Sequence, residues 1–378
     1  MRIFIVFALL LLFSFRVRQQ DIFEDAAYVQ LLRAQYSSGD PSQWEAPVLD
    51  AAVRVGFKDI GVLPEVPFPA ENPFSEAKKV LGKMLFFDPR LSRSRQISCA
   101  SCHDSELGWA DGRSVSYGHN RQTGKRNAMS LLNMGHHTIF FWDGRAATLE
   151  EQALGPLTDP VEMASTKELA VKHIRKVKGY RPYFKAAFGD EKVTIERIAQ
   201  AIATYERTIT AAKTRFDRFI SGEKVPFTDE EVIGLHLFRT KARCINCHNT
   251  PLFADEQFHN EGLSYYGRMY EDLGRYKITG KKEDVGGFKT PSLRNVADTA
   301  PYIHNGFVPD LEGMIEMYNA GMPRPEPRGK QVGDTLFPTT DPLLKPLHLT
   351  PKERAALIAF LKTLSSPLRR EKAPALPE

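Results

Sequence analysis

The chain lacks several features that would narrow its function at once. Its 378 residues include only four cysteines and three tryptophans, and its formal charge of +5 is small for this length. Residues 1–20 carry three arginines and no acid, so the rest of the chain holds 48 basic and 46 acidic residues, a net charge of +2. A balance this even gives no electrostatic reason to expect a nucleic-acid partner.

Long apolar runs are also scarce. The run at residues 3–15 follows Met1-Arg2 and is too short to cross a bilayer comfortably, which is typical of a secretory signal. No clear small-x-small cleavage pattern follows it. The sequence therefore leaves open a signal peptide over residues 1–20 or an uncleaved membrane tether through residues 3–15. Both predict export, in a bacterium to the periplasm.

All four cysteines lie in two copies of one motif, Cys-x-x-Cys-His, at residues 99–103 and 244–248. Two thiols at this spacing reach the two vinyl groups of one porphyrin edge, and the histidine that follows becomes an iron ligand. A zinc site would need its thiols and imidazoles to converge on one ion, and a histidine directly after each pair is not part of the zinc-ribbon pattern. The sequence predicts two haem c groups. Their covalent anchors are Cys99, Cys102, Cys244 and Cys247, and their proximal ligands are His103 and His248.

Sustained alternation of apolar and polar residues is missing, which argues against a β-rich fold. Helix signals are frequent instead. Thr194 caps an apolar stripe expected to run to Ser221-Gly222, while Thr228 and Thr350 open two later helices with capping boxes or proline at the first position. The expected fold is mainly α, with two cytochrome c-like haem lobes packed around an inter-haem region and with long loops.

The two motifs are 145 residues apart (244 minus 99), which is enough chain for one lobe around each. A domain boundary is expected near Gly222, between the long helix and the next cap. In chain order, the expected segments are the signal peptide or tether at 1–20, an unplaced extension at 21–74, a first haem domain at 75–222, a second haem domain at 223–368 and a tail at 369–378.

Function depends on what occupies the face of each haem opposite the proximal histidine. A permanent strong ligand makes an electron carrier, whereas an open face makes a catalyst. His119 and the pair His136-His137 are candidates after the first motif. Spacing alone favours a surface or packed role for each of them.

Several further segments stand out in order: GH at 118–119, RN at 126–127, FWDGR at 141–145, LEEQA at 149–153, PVEM at 160–163, FKTPSLRN at 288–295 and TAPYIHNG at 299–306. Together they resemble the di-haem cytochrome c peroxidases and their relatives of the MauG type. The resemblance covers about residues 75 to 365, and it leaves the preceding stretch unplaced.

The resemblance implies roles for individual residues. Glu162 would be the acid and base over the peroxide-binding face of the first haem, with Gln152 beside it, and Trp142 would lie between the porphyrins. Splitting an O–O bond requires a proton to move from one oxygen to the other, which a carboxylate can accomplish. Taken alone, Glu162 would be a solvated loop acid and Trp142 a core aromatic residue. The resemblance also implies one calcium ion between the haems, held by Asn127 and the backbone carbonyls of Thr299 and Pro301.

The chain departs from the family's peroxidases at the second haem. Where they carry a ligating methionine, at a fixed interval after Pro-Tyr-x-His, this sequence has Tyr318, which is similar to the MauG type. A phenolate lowers the haem potential, whereas a thioether raises it. A shifted loop would offer Met314, Met317 or Met322 instead, although helix packing is their more ordinary role. His119 instead resembles the peroxidase type. It matches a residue that caps the first haem in resting peroxidases and that many tyrosine-type relatives lack.

These implications predict a periplasmic di-haem peroxidase. Hydrogen peroxide would be reduced at the first haem, with electrons delivered through the second haem by a small redox protein, either a c-type cytochrome or a cupredoxin. One alternative is a MauG-type enzyme that oxidises side chains of a partner protein at long range, against which no tryptophan follows residue 142. Another is a non-catalytic electron-transfer cytochrome, against which Glu162 and Gln152 argue. A homodimer is compatible with all three.

Overall fold

The structure is a computed structural model, and it describes residues 21–378. The predicted signal peptide or tether at 1–20 lies outside the described residues. Within residues 21–378, no helix combines the length and the apolar character needed to cross a membrane.

Helices provide nearly all of the regular structure in the described part of the chain, and the expected mainly α fold is confirmed. Two short strands, β1 (Phe258–His259) and β2 (Phe288–Lys289), pair antiparallel. The helices are α1 Ala26–Tyr36, α2 Glu76–Phe87, α3 Leu149–Thr158, α4 Lys167–Lys176, α5 Arg181–Phe188, α6 Ile195–Arg207, α7 Arg215–Ile220, α8 Asp229–Arg239, α9 Tyr276–Thr279, α10 Leu311–Asn319 and α11 Pro351–Lys362.

Both lobes are built on the same helix crossing. In the first lobe, α2 precedes the haem motif and crosses α6 at Gly82, where a Cβ would clash with the carbonyl oxygen of Ala201. In the second lobe, α8 precedes the motif and crosses α11 at Gly234, where a Cβ would clash with the carbonyl of Ala356. Each glycine permits two helix backbones to approach closely, which places the motif at the end of the crossing.

The long helix expected from Thr194 to about residue 222 is two helices. The first, α6, ends at Arg207, and α7 begins after Thr214, whose side chain caps it in a capping box with Asp217. Apolar residues occur on both sides of the break because both helices are buried. The residues of α6 pack into the first hydrophobic core, and those of α7 pack into the second. The residues of α7 thus pack with the second lobe, although the boundary expected near Gly222 assigned them to the first domain.

The unplaced extension, residues 21–74, packs largely against the second lobe. Its helix α1 lies along α8, and its buried side chains join the second core. The tail at 369–378 returns to the first lobe, where the carbonyl of Glu378 accepts a hydrogen bond of 2.8 Å from the N–H of Gly179. The extension at 21–74 and the tail at 369–378 are therefore both held by contacts with the lobes. The extension residues in the second core are Val29, Leu32, Tyr36, Trp44 and Ile60.

Candidate functional site

The two proximal histidines are held in the same way. A short 3₁₀ turn begins at the first cysteine of each motif, Cys99–Ser101 and Cys244–Asn246, and the second cysteine follows it directly. The Nδ1 of His103 lies 3.0 Å from the carbonyl oxygen of Trp109, and the Nδ1 of His248 lies 2.9 Å from that of Phe253. A carbonyl can only accept, so Nδ1 carries the proton and Nε2 is left to bind a metal. Burial also lowers the pKa of both imidazoles, which keeps them neutral, and this donor set fits haem iron.

A cavity opens beside the second motif and is largely apolar. His248, Cys244 and Cys247 line it together with aliphatic side chains of α10 and α11. Burial raises the pKa of the Cys244 thiol to about 12, so this sulfur is not poised as a free thiolate. The walls suit a porphyrin attached through thioethers. The aliphatic lining residues of the two helices are Leu311, Ile315, Leu357 and Leu361.

Tyr318 reaches the same cavity, and its hydroxyl donates a hydrogen bond of 2.7 Å to Oε1 of Glu261. Burial and this carboxylate raise the pKa of Tyr318 well above its usual value. Met314 lines the cavity as well, whereas Met317 and Met322 pack in the adjoining apolar cluster and are not among its lining residues. The structure thus brings both a phenol and a thioether to the second haem site, and Tyr318 as iron ligand stays a prediction.

Glu162 lies close to the first motif. Its carboxylate is near enough to the thiols of Cys99 and Cys102 to contribute to the raised pKa of each. Burial, reinforced by the neighbouring Asp159, raises the pKa of Glu162 itself. Gln152 extends from α3, and its Oε1 is buried without a hydrogen-bond partner in the described structure. An unpartnered buried oxygen of this kind needs a donor from a ligand or from water.

The His119 segment packs backbone to backbone on the Glu162 segment. The N–H of His119 lies 2.7 Å from the carbonyl oxygen of Val161 and 2.8 Å from that of Glu162. Gly118 allows this approach, because a Cβ there would clash with the Val161 carbonyl. The buried Nδ1 of His119 finds no hydrogen-bond partner among residues 21–378. The geometry places His119 next to the acid predicted for catalysis, while its role as a first-haem ligand stays a prediction.

Trp142 lies where the two lobes meet. Its indole N–H donates to the carbonyl of Asn127 in the first lobe (3.0 Å), and its own carbonyl accepts from the N–H of Lys289 in the second (2.8 Å). The ring is buried at 8% exposure and lines the second haem cavity. Arg126, which precedes Asn127, pairs at 2.6 Å with Asp143, which follows Trp142. Asn127 and Trp142 are the two partners in the indole hydrogen bond, and the ion pair holds together the residues next to them in the chain.

The three residues predicted to bind calcium also meet at this cavity. Asn127, Thr299 and Pro301 all line it. The side-chain Nδ2 of Asn127 donates to the carbonyl of Arg113 at 2.8 Å, which leaves Oδ1 as the amide atom free for a cation. Oxygen donors of this kind suit calcium.

Three polar residues of this region, the buried His304 and the half-buried His259 and Glu261, were not predicted. His259 lines the cavity and bonds through both ring nitrogens, to Asp255 at 2.8 Å and to Asp341 at 2.6 Å. Burial opposes a charge on His259, but the two carboxylates raise its pKa above the usual range. The ring of His304 stacks on Phe288 at 3.6 Å, and burial lowers its pKa to about 4. Asp255 and His259 are only four residues apart, but the contacts of His259 with Asp341, of His304 with Phe288 and of Glu261 with Tyr318 join more distant residues, which no spacing rule connects. The third residue is Glu261, the partner of Tyr318.

Comparison with known proteins agrees with this architecture. The family model described as di-haem cytochrome c peroxidase matches residues 76–225. Methylamine utilization protein MauG of Methylorubrum extorquens is 37% identical over 348 residues, 91% of this chain and 92% of its own length. Cytochrome c551 peroxidase of Nitrosomonas europaea is 36% identical over 87% of this chain and 93% of its own length. The crystal structure of a MauG-like protein associated with microbial copper homeostasis is 36% identical with a TM-score of 0.72, covering 80% of this chain and 93% of that one.

Two helical lobes that each carry a Cys-x-x-Cys-His motif define a di-haem c-type protein. The chain belongs to the di-haem cytochrome c peroxidase and MauG family. Membership of a di-haem family implies two haem c groups, and the half-buried cysteine pairs and the orientation of His103 and His248 fit them. The resemblance drawn from the short motifs is confirmed.

Proposed function

We propose that this protein is an oxidoreductase of the cytochrome-c peroxidase type, with hydrogen peroxide as the electron acceptor. His103 would hold the haem that supplies the site of peroxide reduction, and His248 would hold the haem that supplies the electrons. The observation that carries the proposal is the half-buried carboxyl of Glu162, whose segment packs against His119 and which is close enough to the first motif to act on the pKa of its thiols. The bound haem irons supply the redox chemistry through which peroxide is reduced.

The first site then handles protons with its own side chains. The carboxylate of Glu162 takes a proton from one peroxide oxygen and returns it to the other, which leaves as water. Because burial raises its pKa, Glu162 holds that proton more readily than a solvated glutamate. The unpartnered amide oxygen of Gln152 offers an acceptor for a peroxide hydrogen.

Electron delivery uses the contact between the lobes. Trp142 lines the second cavity, and its hydrogen bond to Asn127 joins it to the first lobe. A small redox protein, a c-type cytochrome or a cupredoxin, would supply the electrons. The proposal also includes a calcium ion bound by Asn127, Thr299 and Pro301. It includes export to the periplasm, directed by residues 1–20, and assembly as a homodimer.

A second candidate is oxidation of a partner protein at long range, since one relative is a MauG. The objection drawn from the sequence, that no tryptophan follows residue 142, does not hold for the folded chain. Trp44 belongs to the extension, yet it packs in the core of the second lobe. Peroxide as the oxidant is common to both candidates, so the first test concerns peroxide.

The test is stopped-flow mixing of the holoenzyme with hydrogen peroxide, for the wild type and for Glu162→Gln. Removal of the proton shuttle should lower peroxide reactivity by about 10² to 10⁴-fold while leaving the haem content unchanged. Glu168→Gln is the matched control, because Glu168 is an exposed acid at the start of α4. Near-normal reactivity of Glu162→Gln would make this carboxylate merely structural. No reaction of the wild type would indicate an electron-transfer cytochrome.

A further inference from the structure

The extension brings a chain of aromatic side chains to the second lobe. Trp44 and Tyr36 are 6% and 0% exposed, and their rings meet edge to face with centroids 5.6 Å apart. Tyr28 lies two turns earlier on α1 and is half-buried, and its ring meets that of His236 at 5.8 Å. The four rings form a path from the interior toward the surface.

The inner end of this path lies beside the second haem motif. The guanidinium of Arg239, five residues before Cys244, stands 5.0 Å from the ring centre of Trp44 and 5.8 Å from that of Tyr36. Trp44 shares the second core with Ile245, which lies between the two motif cysteines. The extension also bonds to the motif directly, because the N–H of Asp50 donates to Oδ1 of Asn246 at 2.8 Å.

Both tyrosines on the path have a proton acceptor. The hydroxyl of Tyr28 donates to Oε2 of Glu45 at 2.7 Å, and the hydroxyl of Tyr36 lies 3.3 Å from Nδ1 of His236. Burial lowers the pKa of His236, so its imidazole is neutral and able to accept. A tyrosine that loses one electron also releases its phenolic proton, and a base within hydrogen-bond distance assists that step. Buried hydroxyls need partners for packing alone as well, so an experiment must separate the two roles.

We propose that Trp44, Tyr36 and Tyr28 form a relay that carries an oxidising equivalent from the second haem to the surface at Tyr28. The relay rests on the proposed function, because reaction with peroxide supplies the oxidant. One electron leaves Tyr28 and passes through Tyr36 and Trp44 to the second haem. The phenolic O–H bond of Tyr28 breaks, its proton goes to Glu45, and a neutral tyrosyl radical remains. A hydrogen-atom donor such as a phenol then restores Tyr28.

The test uses electron paramagnetic resonance on holoenzyme that is mixed with peroxide without an external donor and then frozen. The wild type should show a tyrosyl radical, and Tyr28→Phe should lose that signal. Tyr266→Phe is the matched control and should keep it. Tyr266 is also half-buried with its hydroxyl 2.7 Å from a carboxylate, that of Asp334, but its ring pairs only with Phe337 among the aromatic residues of the described structure.

A second variant tests the proton transfer. Glu45→Gln leaves every ring in place and removes the base, so the Tyr28 radical should appear about 10²-fold more slowly. An unchanged rate in Glu45→Gln, or an unchanged radical in Tyr28→Phe, would overturn the relay. If Tyr28→Phe loses haem, Glu45→Gln decides alone. Haem absorbance in the same samples separates the failures: no change on adding peroxide refutes the proposed function, whereas a normal change without a tyrosyl signal refutes only the relay.

Discussion

Replacing Asn246 with alanine should loosen the extension from the second haem motif. The Asn246 side chain is 3% exposed, its Oδ1 accepts from the N–H of Asp50 at 2.8 Å, and its Nδ2 donates to the carbonyls of Val48 (3.1 Å) and Arg243 (2.9 Å). Each hydrogen bond contributes about 1 kcal/mol net. Only the bonds to Asp50 and Val48 join the motif to the extension, so the loss should be about 2 kcal/mol for local opening of the extension.

Native-state hydrogen exchange of the amides at 44–61 measures that opening free energy directly. The matched control is Ser101→Ala, at the same position of the first motif. Ser101 is exposed, and its hydroxyl accepts a hydrogen bond from the N–H of Ser98 at 3.0 Å at the first motif, so its removal should leave the opening free energy of residues 44–61 unchanged. A loss below about 1 kcal/mol in Asn246→Ala, or an equal loss in the two variants, would refute the reasoning.

Two further predictions concern single side chains. Tyr318→Phe should change the absorption spectrum of the second haem, because an anionic oxygen donor is lost, whereas Met314→Leu should leave it nearly unchanged; the reverse result would make Met314 the ligand. Burial raises the pKa of Glu206 from 4.5 to about 8, so the folded state favours the protonated acid and stability should fall as pH rises from about 4.5 to about 8. This shift corresponds to roughly 5 kcal/mol in the free energy of unfolding. Glu206→Gln should remove most of the pH dependence of that free energy, measured by denaturant titration at several pH values. Equal pH dependence in the variant and the wild type would contradict this prediction.

Local chemistry explains what could be predicted from the sequence. The haem motifs need only five consecutive residues each. The helix starts at Thr228 and Thr350 are confirmed, since a capping box involves groups three residues apart. The prediction of one helix that continues beyond Arg207 is wrong for a physical reason. Apolar periodicity reports which side chains are buried, and it does not report that Ile209 and Phe216 are buried in different cores.

Long-range packing explains what could not be predicted. Trp44 precedes the first haem motif in the chain, but it folds onto the second lobe, so position in the sequence does not show which lobe a side chain joins. The closeness of His119 to Glu162 depends on a backbone contact that Gly118 permits. The clamp on His259 joins residues 255 and 341, which no periodicity connects.

The central claim, that peroxide is reduced with electrons held by two haems, is tested most directly by titrating the fully reduced holoenzyme with hydrogen peroxide. Reduction of one peroxide to water takes two electrons, and each of the two haems supplies one. Both haem absorbance changes should therefore be complete after roughly one molecule of peroxide per chain. Absence of oxidation, or oxidation only at a large excess of peroxide, would contradict the account.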